Sequence, residues 1–154
     1  MFTIKTDLNR MIKNLDRVKS EIMLQHENLP RDCATSLSVD IVENIMNQVF
    51  AAGYKPYSKK YEEWKKNTVG HLDFWRLYGD LISHISAFEG HGGWIAGITK
   101  GATNRDGESI EKYASVNEFL RPLFGLSREK FKDEKFPIIG KRALDRIREK
   151  WMRK

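Results

Sequence analysis

Four histidines, one cysteine and two glycine-bearing turns are the groups in this 154-residue chain with the potential for chemistry. His71 with Asp73, or His84 with Glu89 and His91, can be drawn as a metal site, because imidazole and carboxylate are common ligands. Neither set has the helical spacing of a zinc protease or a further strong ligand nearby, and His26 stands alone. Gly90-His91-Gly92-Gly93 superficially suggests a phosphate loop. Such a cradle needs a strand running into a helix N-terminus, usually with a lysine after the glycines, and here the glycines join two strands. Asp106-Gly107 lacks the alternating acids of a calcium loop. No serine lies in a nucleophile elbow, and Cys33 has no motif that would activate its thiol. The pattern points away from an enzyme, with no metal or cofactor expected.

The elements that must position these groups follow from composition and periodicity. With 40% hydrophobic residues, the length suits one domain spanning residues 1–154. A single cysteine forms no internal disulfide and fits a reducing cytosol. No signal-peptide layout and no run of about 18 apolar residues is present, so the expectation is a soluble protein made in the cytoplasm. The net charge of +6 is concentrated at one end. Lys141, Arg142, Arg146, Arg148, Lys150, Arg153 and Lys154 face only Asp145 and Glu149 there. Such a field suits an acidic partner, nucleic acid or protein, although a solvated helix face explains it equally.

Phe2 to Lys5 alternates as a short strand would. Leu8, Met11, Ile12, Leu15, Val18 and Ile22 then recur at helical spacing, predicting an amphipathic helix that ends near His26. Asn28 before Leu29-Pro30 predicts a second helix, with Leu37, Ile41, Val42, Ile45, Met46, Val49 and Phe50 as its apolar face and Gly53 as its stop. From Tyr54 to Thr68, aromatics interleave with lysines. That mixture fits either rings covering the edge of a core or a surface on which bases stack. A short helix is expected from Ser58 to about Lys66, and helical character again from Leu72 to Ile82.

Ser83 to Phe88 and Trp94 to Thr99 predict a β-hairpin across the glycine-rich turn. Lys100 to Gly107 is an exposed loop. A helix from Ser109 to Leu120 follows, with Ile110, Tyr113, Ala114 and Val116 or Phe119 inward. Arg121 to Phe124 should be extended before its proline, and Ser127 should cap a charged helix through Glu134. Phe136 to Ile139 should be extended, and Lys141 to Met152 a last helix with Leu144, Ile147 and Trp151 on its apolar edge. The fold class is α+β: N-terminal amphipathic helices packed on a small antiparallel sheet with a central hairpin, and a basic C-terminal helix.

The order of the pieces between Leu77 and Ser127 carries a resemblance. Leu77, Gly79, Leu81 and Ile85, then Ile95-Ala96-Gly97-Ile98, Tyr113-Ala114, Glu118-Phe119 and Arg121-Pro122-Leu123-Phe124-Gly125 follow one another as in the virion-morphogenesis, or tail-completion, proteins of Mu-like tailed bacteriophages. The chain departs from that pattern at Leu120, which alone separates Phe119 from Arg121. The resemblance implies a structural virion protein at the tail or neck, mediating head-tail joining. It implies a homo-oligomeric ring, taken as a hexamer, whose partners are tail-tube, tail-terminator or neck and connector proteins, with genomic DNA passing through the lumen. The seven basic residues of the tail are the candidates for an interface or DNA-facing surface. The alternative is a small basic nucleic-acid-binding protein that uses the Tyr54 to Lys66 segment and the basic tail.

Overall fold

A single helix, α1 (Ile4–Met46), runs through the proline that was expected to divide it. The computed structural model describes residues 4–76 and 79–152. Of the expected N-terminal strand, Phe2 and Thr3 lie outside the described residues, while Ile4 and Lys5 are helical. Pro30 inside a helix removes one backbone donor and crowds the carbonyl one turn earlier, a cost of about 3 kcal/mol. The helix continues because the same neighbours, a β-hairpin and the C-terminal helix, pack along it, and burial of a long face outweighs one local defect. Side chains also brace the defect: Asn28 donates to the Leu24 carbonyl at 2.9 Å, and Arg31 donates to the Asn28 amide oxygen at 2.9 Å.

Beyond α1 a 3-10 turn (Ala51–Gly53) leads to α2 (Lys59–Val69), whose N-cap Ser58 accepts a hydrogen bond from the Tyr61 amide. The helical stretch expected from Leu72 to Ile82 shrinks to α3 (Asp80–Ser83). Phe74 and Trp75 form a turn, and Trp75 adopts a positive φ of 61° with its side chain buried. Leu77 lies outside the described residues. Gly79 begins α3 at φ 88°, with open space where a Cβ would sit. Its glycine therefore answers a backbone requirement and not a close approach.

The hairpin forms as expected. β1 (Ile85–Gly90) pairs antiparallel with β2 (Gly93–Ile98), from Ile85 opposite Ile98 to Gly90 opposite Gly93. The two-residue turn is His91-Gly92, with Gly92 at φ 91°. After a loop in which Asn104 accepts from the amides of Asp106 and Glu108, α4 (Ile110–Leu120) starts at its N-cap Ser109.

Ile110 and Ala114 join Ile41, Ile45, Trp75, Leu81, Ile85 and Leu123 in the main core. Val116 and Phe119, one or the other of which was expected inward, are both exposed. At 3.6 residues per turn Phe119 lies about 180° round the helix from Ile110.

The Arg121 to Phe124 segment, expected to be extended, turns helical at Phe124, and the charged helix expected from Ser127 to Glu134 begins there, as α5 (Phe124–Glu134). Its N-terminus is capped from the preceding helix: the Glu118 carboxylate accepts from the amides of Leu123, Phe124 and Gly125 at 2.8, 3.0 and 2.9 Å. Ser127 is not the cap. It lies fully buried in α5, accepting a 3.0 Å hydrogen bond from Asn44 of α1.

Phe136 to Ile139 is helical as well, opening α6 (Phe136–Met152). Pro137 falls in the first turn, where its missing donor had no partner to lose. Lys135, at the joint between α5 and α6, pairs with Asp40 of α1. This hydrogen bond to Asp40 holds the lysine pKa above its usual range. α6 lays Ala143 against α1, with Ile139 and Ile147 half-buried, whereas Leu144 and Trp151 of the expected apolar edge are exposed. The class is α+β as expected, 67% helical with one two-stranded antiparallel sheet.

Because three backbone donors converge on Glu118, Glu118→Ala is expected to cost roughly 1–2 kcal/mol, read as a lower urea midpoint with an unchanged slope. An unchanged midpoint would show that the cap contributes nothing.

Candidate assembly surfaces

Two of the residues that carry the resemblance, Arg121 and Pro122, take part in a structural knot. The Arg121 guanidinium lies over the Tyr57 ring at 4.6 Å and the Phe74 ring at 5.2 Å, and its Nε donates to the Lys55 carbonyl. The Trp75 indole donates to the Arg121 carbonyl at 3.1 Å, and the Tyr54 hydroxyl donates to the Pro122 carbonyl at 2.7 Å. Gln48, at the end of α1, accepts from the Phe74 amide and donates to its carbonyl. These bonds fasten the strained Trp75 turn from both sides. Tyr113 is half-buried beside this core, and burial pushes its hydroxyl up to about 12.

Lys65 was grouped with the lysines of a solvated segment, but it is 1% exposed. Its ammonium donates to the Tyr57 hydroxyl at 3.3 Å and to the Asp73 carbonyl. Desolvation brings its pKa down to about 8, against the opposing pull of Asp73. Of the mixed aromatic and basic stretch, Tyr54, Tyr57 and Lys65 are therefore committed to the interior of the knot. Trp64, Lys59, Lys60 and Lys66 remain on the surface.

The histidines His71, His84 and His91 do not converge. His71 Nδ1 is 3.6 Å from the Asp73 carboxylate, which Arg76 also approaches at 3.3 Å. His84 sits at the base of the hairpin, with its Nδ1 2.7 Å from the Asp80 carbonyl. His91 is at the opposite end, in the turn, so the length of β1 separates it from His84. Among the described residues no three of His, Cys, Asp and Glu gather as a metal site. Cys33 is half-buried, and burial raises its thiol pKa, with Asp32 adding to the effect.

The basic residues of α6 divide between two faces. Arg142 and Arg146, one turn apart, line a cleft against Gln25, Leu29 and Asp32 of α1. Lys141 and Arg148, seven residues apart, share the outer face and are exposed. Lys150 is drawn inward to Glu21, 3.9 Å away, whose side chain is nearly covered. Arg153 and Lys154 lie outside the described residues. Among the described residues the tail is thus a basic flank with an ion pair to α1.

The larger surface feature is apolar, and periodicity alone assigned it to the core. Leu8, Met11, Ile12, Leu15, Ile22 and Met23 of α1 are all about half exposed. Where the hairpin ends, His26, Leu29 and Pro30 of α1 and the His91–Ile95 tip bound an open groove of about 650 Å³. Val116, Phe119 and Leu120 form a second exposed cluster at the end of α4. Contiguous apolar surface of this kind marks interaction sites. Among the described residues no helix is long and apolar enough to cross a membrane. Comparison with protein-family models, curated proteins and solved structures found no match.

The buried lysine sets a pH dependence. Between about pH 8 and its ordinary value of 10.5, the unfolded chain holds a proton on Lys65 that the folded chain has released, so stability rises with pH through that window. Above about pH 10 the effect meets an opposing one from Tyr54 and Tyr113, whose hydroxyls burial pushes up to about 12. In urea titrations from pH 7.5 to 9.5, the wild type is expected to gain about 1–2 kcal/mol relative to Lys65→Met. A constant difference across the range would contradict a desolvated ammonium.

Proposed function

We propose that this chain is a structural subunit of a tailed-phage virion that completes the tail or neck and mediates head-tail joining as a member of a homo-oligomeric ring, taken as a hexamer. The observation that carries this reading is the amount of large apolar surface left uncovered on α1, α4 and the hairpin tip. A subunit with neighbours on two sides and other rings above and below needs several such surfaces at once. The order of Gly79, Leu81, Tyr113, Glu118, Phe119, Arg121 and Pro122 supplies the resemblance. The role of Glu118 in joining α4 to α5, and of Arg121 and Pro122 in holding the 54–57 segment, gives those three positions a physical reason to recur in one fold.

In this reading the outer face of α6, with Lys141 and Arg148, lies near the DNA that passes through the lumen and contacts phosphate without reading sequence. Tail-tube, tail-terminator or neck and connector proteins occupy the ring's two end surfaces. The subunit acts by binding and turns over no substrate. The competing reading, a small basic nucleic-acid-binding protein, loses weight because Tyr54, Tyr57 and Lys65 are engaged inside the fold.

Electron microscopy of the purified chain is expected to show closed rings with a central hole. The isolated subunit should bind DNA only weakly, with an affinity that falls as salt rises and weakens further in a Lys141→Glu, Arg148→Glu double variant. Tight DNA binding by a monomer that forms no rings would favour the competing reading and overturn this one.

A further inference from the structure

The seam between α1 and α6 is closed by ion pairs at both ends and open between them. Lys135, just before α6, pairs with Asp40, and Lys150, near the end of α6, approaches Glu21 at 3.9 Å. The two helices therefore run antiparallel. Midway along the seam, Leu29, Asp32 and Ser36 of α1 face Ile139, Arg142 and Arg146 of α6 across a cleft of about 210 Å³.

The polar groups in this cleft are unbalanced. Arg142 and Arg146 stand one turn apart on the same side of α6, where like charges repel. Neither has an ion-pair or hydrogen-bond partner among the described residues. Asp32 pairs with Arg31 of its own helix, at 3.9 Å, and closes on neither guanidinium. The half-buried Ser36 side chain also forms no hydrogen bond among the described residues. Gln25, beneath them, is engaged by Glu21, to which its amide donates at 2.8 Å. Two guanidinium forks and a hydroxyl thus stand as free donors, opposed by the single carboxylate of Asp32. Leu29 and Ile139 supply an apolar wall, beside which charges are screened less than in open water.

We propose that this cleft is a binding site for a phosphate group, held by Arg142 and Arg146 together, with the Ser36 hydroxyl as a further donor. A guanidinium fork engages two oxygens of its partner in parallel. One fork therefore occupies both oxygens of a carboxylate, whereas a phosphate presents enough oxygens around one centre to serve both forks and the hydroxyl. Asp32 repels the bound anion and limits its affinity. The site is separate from the outer face of α6 that carries Lys141 and Arg148, and it does not depend on the assembly the chain joins. The same chemistry serves a small inorganic phosphate and the phosphate of a nucleic-acid backbone.

The test uses the full chain in isothermal titration calorimetry at low, constant ionic strength, with inorganic phosphate, acetate and a short oligothymidylate as probes. Circular dichroism confirms that each variant is folded. The wild type is expected to bind inorganic phosphate in clear preference to acetate. Arg142→Gln and Arg146→Gln are each expected to weaken phosphate binding by about tenfold or more. Arg146→Lys should lose nearly as much, because it keeps the charge without the fork. Asp32→Asn should tighten binding, and the Lys141→Glu, Arg148→Glu double variant should weaken it less than either cleft variant does.

If the cleft variants also lose oligothymidylate binding, the phosphate belongs to a nucleic-acid backbone. Oligothymidylate binding that is absent, or unchanged in those variants, assigns the cleft to a small anion. Acetate bound as tightly as phosphate, an Arg146→Gln variant that binds like the wild type, or Asp32→Asn without effect would each overturn the site. The ring reading, tested by electron microscopy, would stand or fall separately.

Discussion

The length of α1 is the constraint on which the rest of the structure depends. Forty-three helical residues span about 65 Å, whereas a compact domain of this size has a radius of gyration of about 15 Å. In this fold the remaining chain does not cover the rod from end to end. The hairpin and the α4–α5 region gather around its C-terminal part, where Ile41 and Ile45 are almost completely buried. α6 lies along it in the other direction, reaching Glu21 through Lys150. What is left of the rod carries apolar side chains into solvent, and that shortage of covering chain is the physical origin of the surfaces read here as assembly surfaces.

A second consequence concerns polar groups. The contact of α1 with α5 and α6 is not a simple apolar seam: Glu21, Gln25, Ser38, Asp40 and Asn44 are all buried on α1. Gln25 bonds to Glu21, Asn44 to Ser127, and Asp40 pairs with Lys135. Hydrogen-bonded pairs of this kind fix one rotation and register of helices that leucines alone would hold loosely. At the other end of the core the same economy operates in the loops. Arg121, Glu118, Gln48 and Lys65 satisfy carbonyls and amides left over where helices end. Three residues of the pattern, Glu118, Arg121 and Pro122, therefore solve a folding problem, whereas Phe119 and Ile95 of the same pattern are exposed.

Polar junctions at Glu118 and Asn44 tie α4 to α5 and α5 to α1, while Phe119 and the Trp94 groove stay exposed. Side chains that carry chemistry in other proteins are dispersed: the imidazoles of His84 and His91 stand at opposite ends of β1, and Lys65, though its pKa is depressed, is sealed from solvent.

Much of the local structure was legible in the sequence because local interactions set it. Ser58 and Ser109 cap their helices through their own side chains, and Gly92 and Gly93 permit the tight hairpin turn whatever surrounds them. The basic character of the C-terminal helix could be read directly, but not its split into two faces with Lys150 turned toward Glu21. The tertiary structure decided the rest. Pro30 reads as a helix break and Phe136-Pro137 as an extended segment until packing along α1 offsets the first and a position in the first helical turn makes the second harmless. Ser127 reads as a cap until Asn44, 83 residues earlier, becomes its partner. The apolar periodicity of Leu8 to Ile22 and of Val116 to Leu120 identified helices correctly but assigned their faces to a core, because periodicity records which face avoids water and not whether this chain or another one covers it.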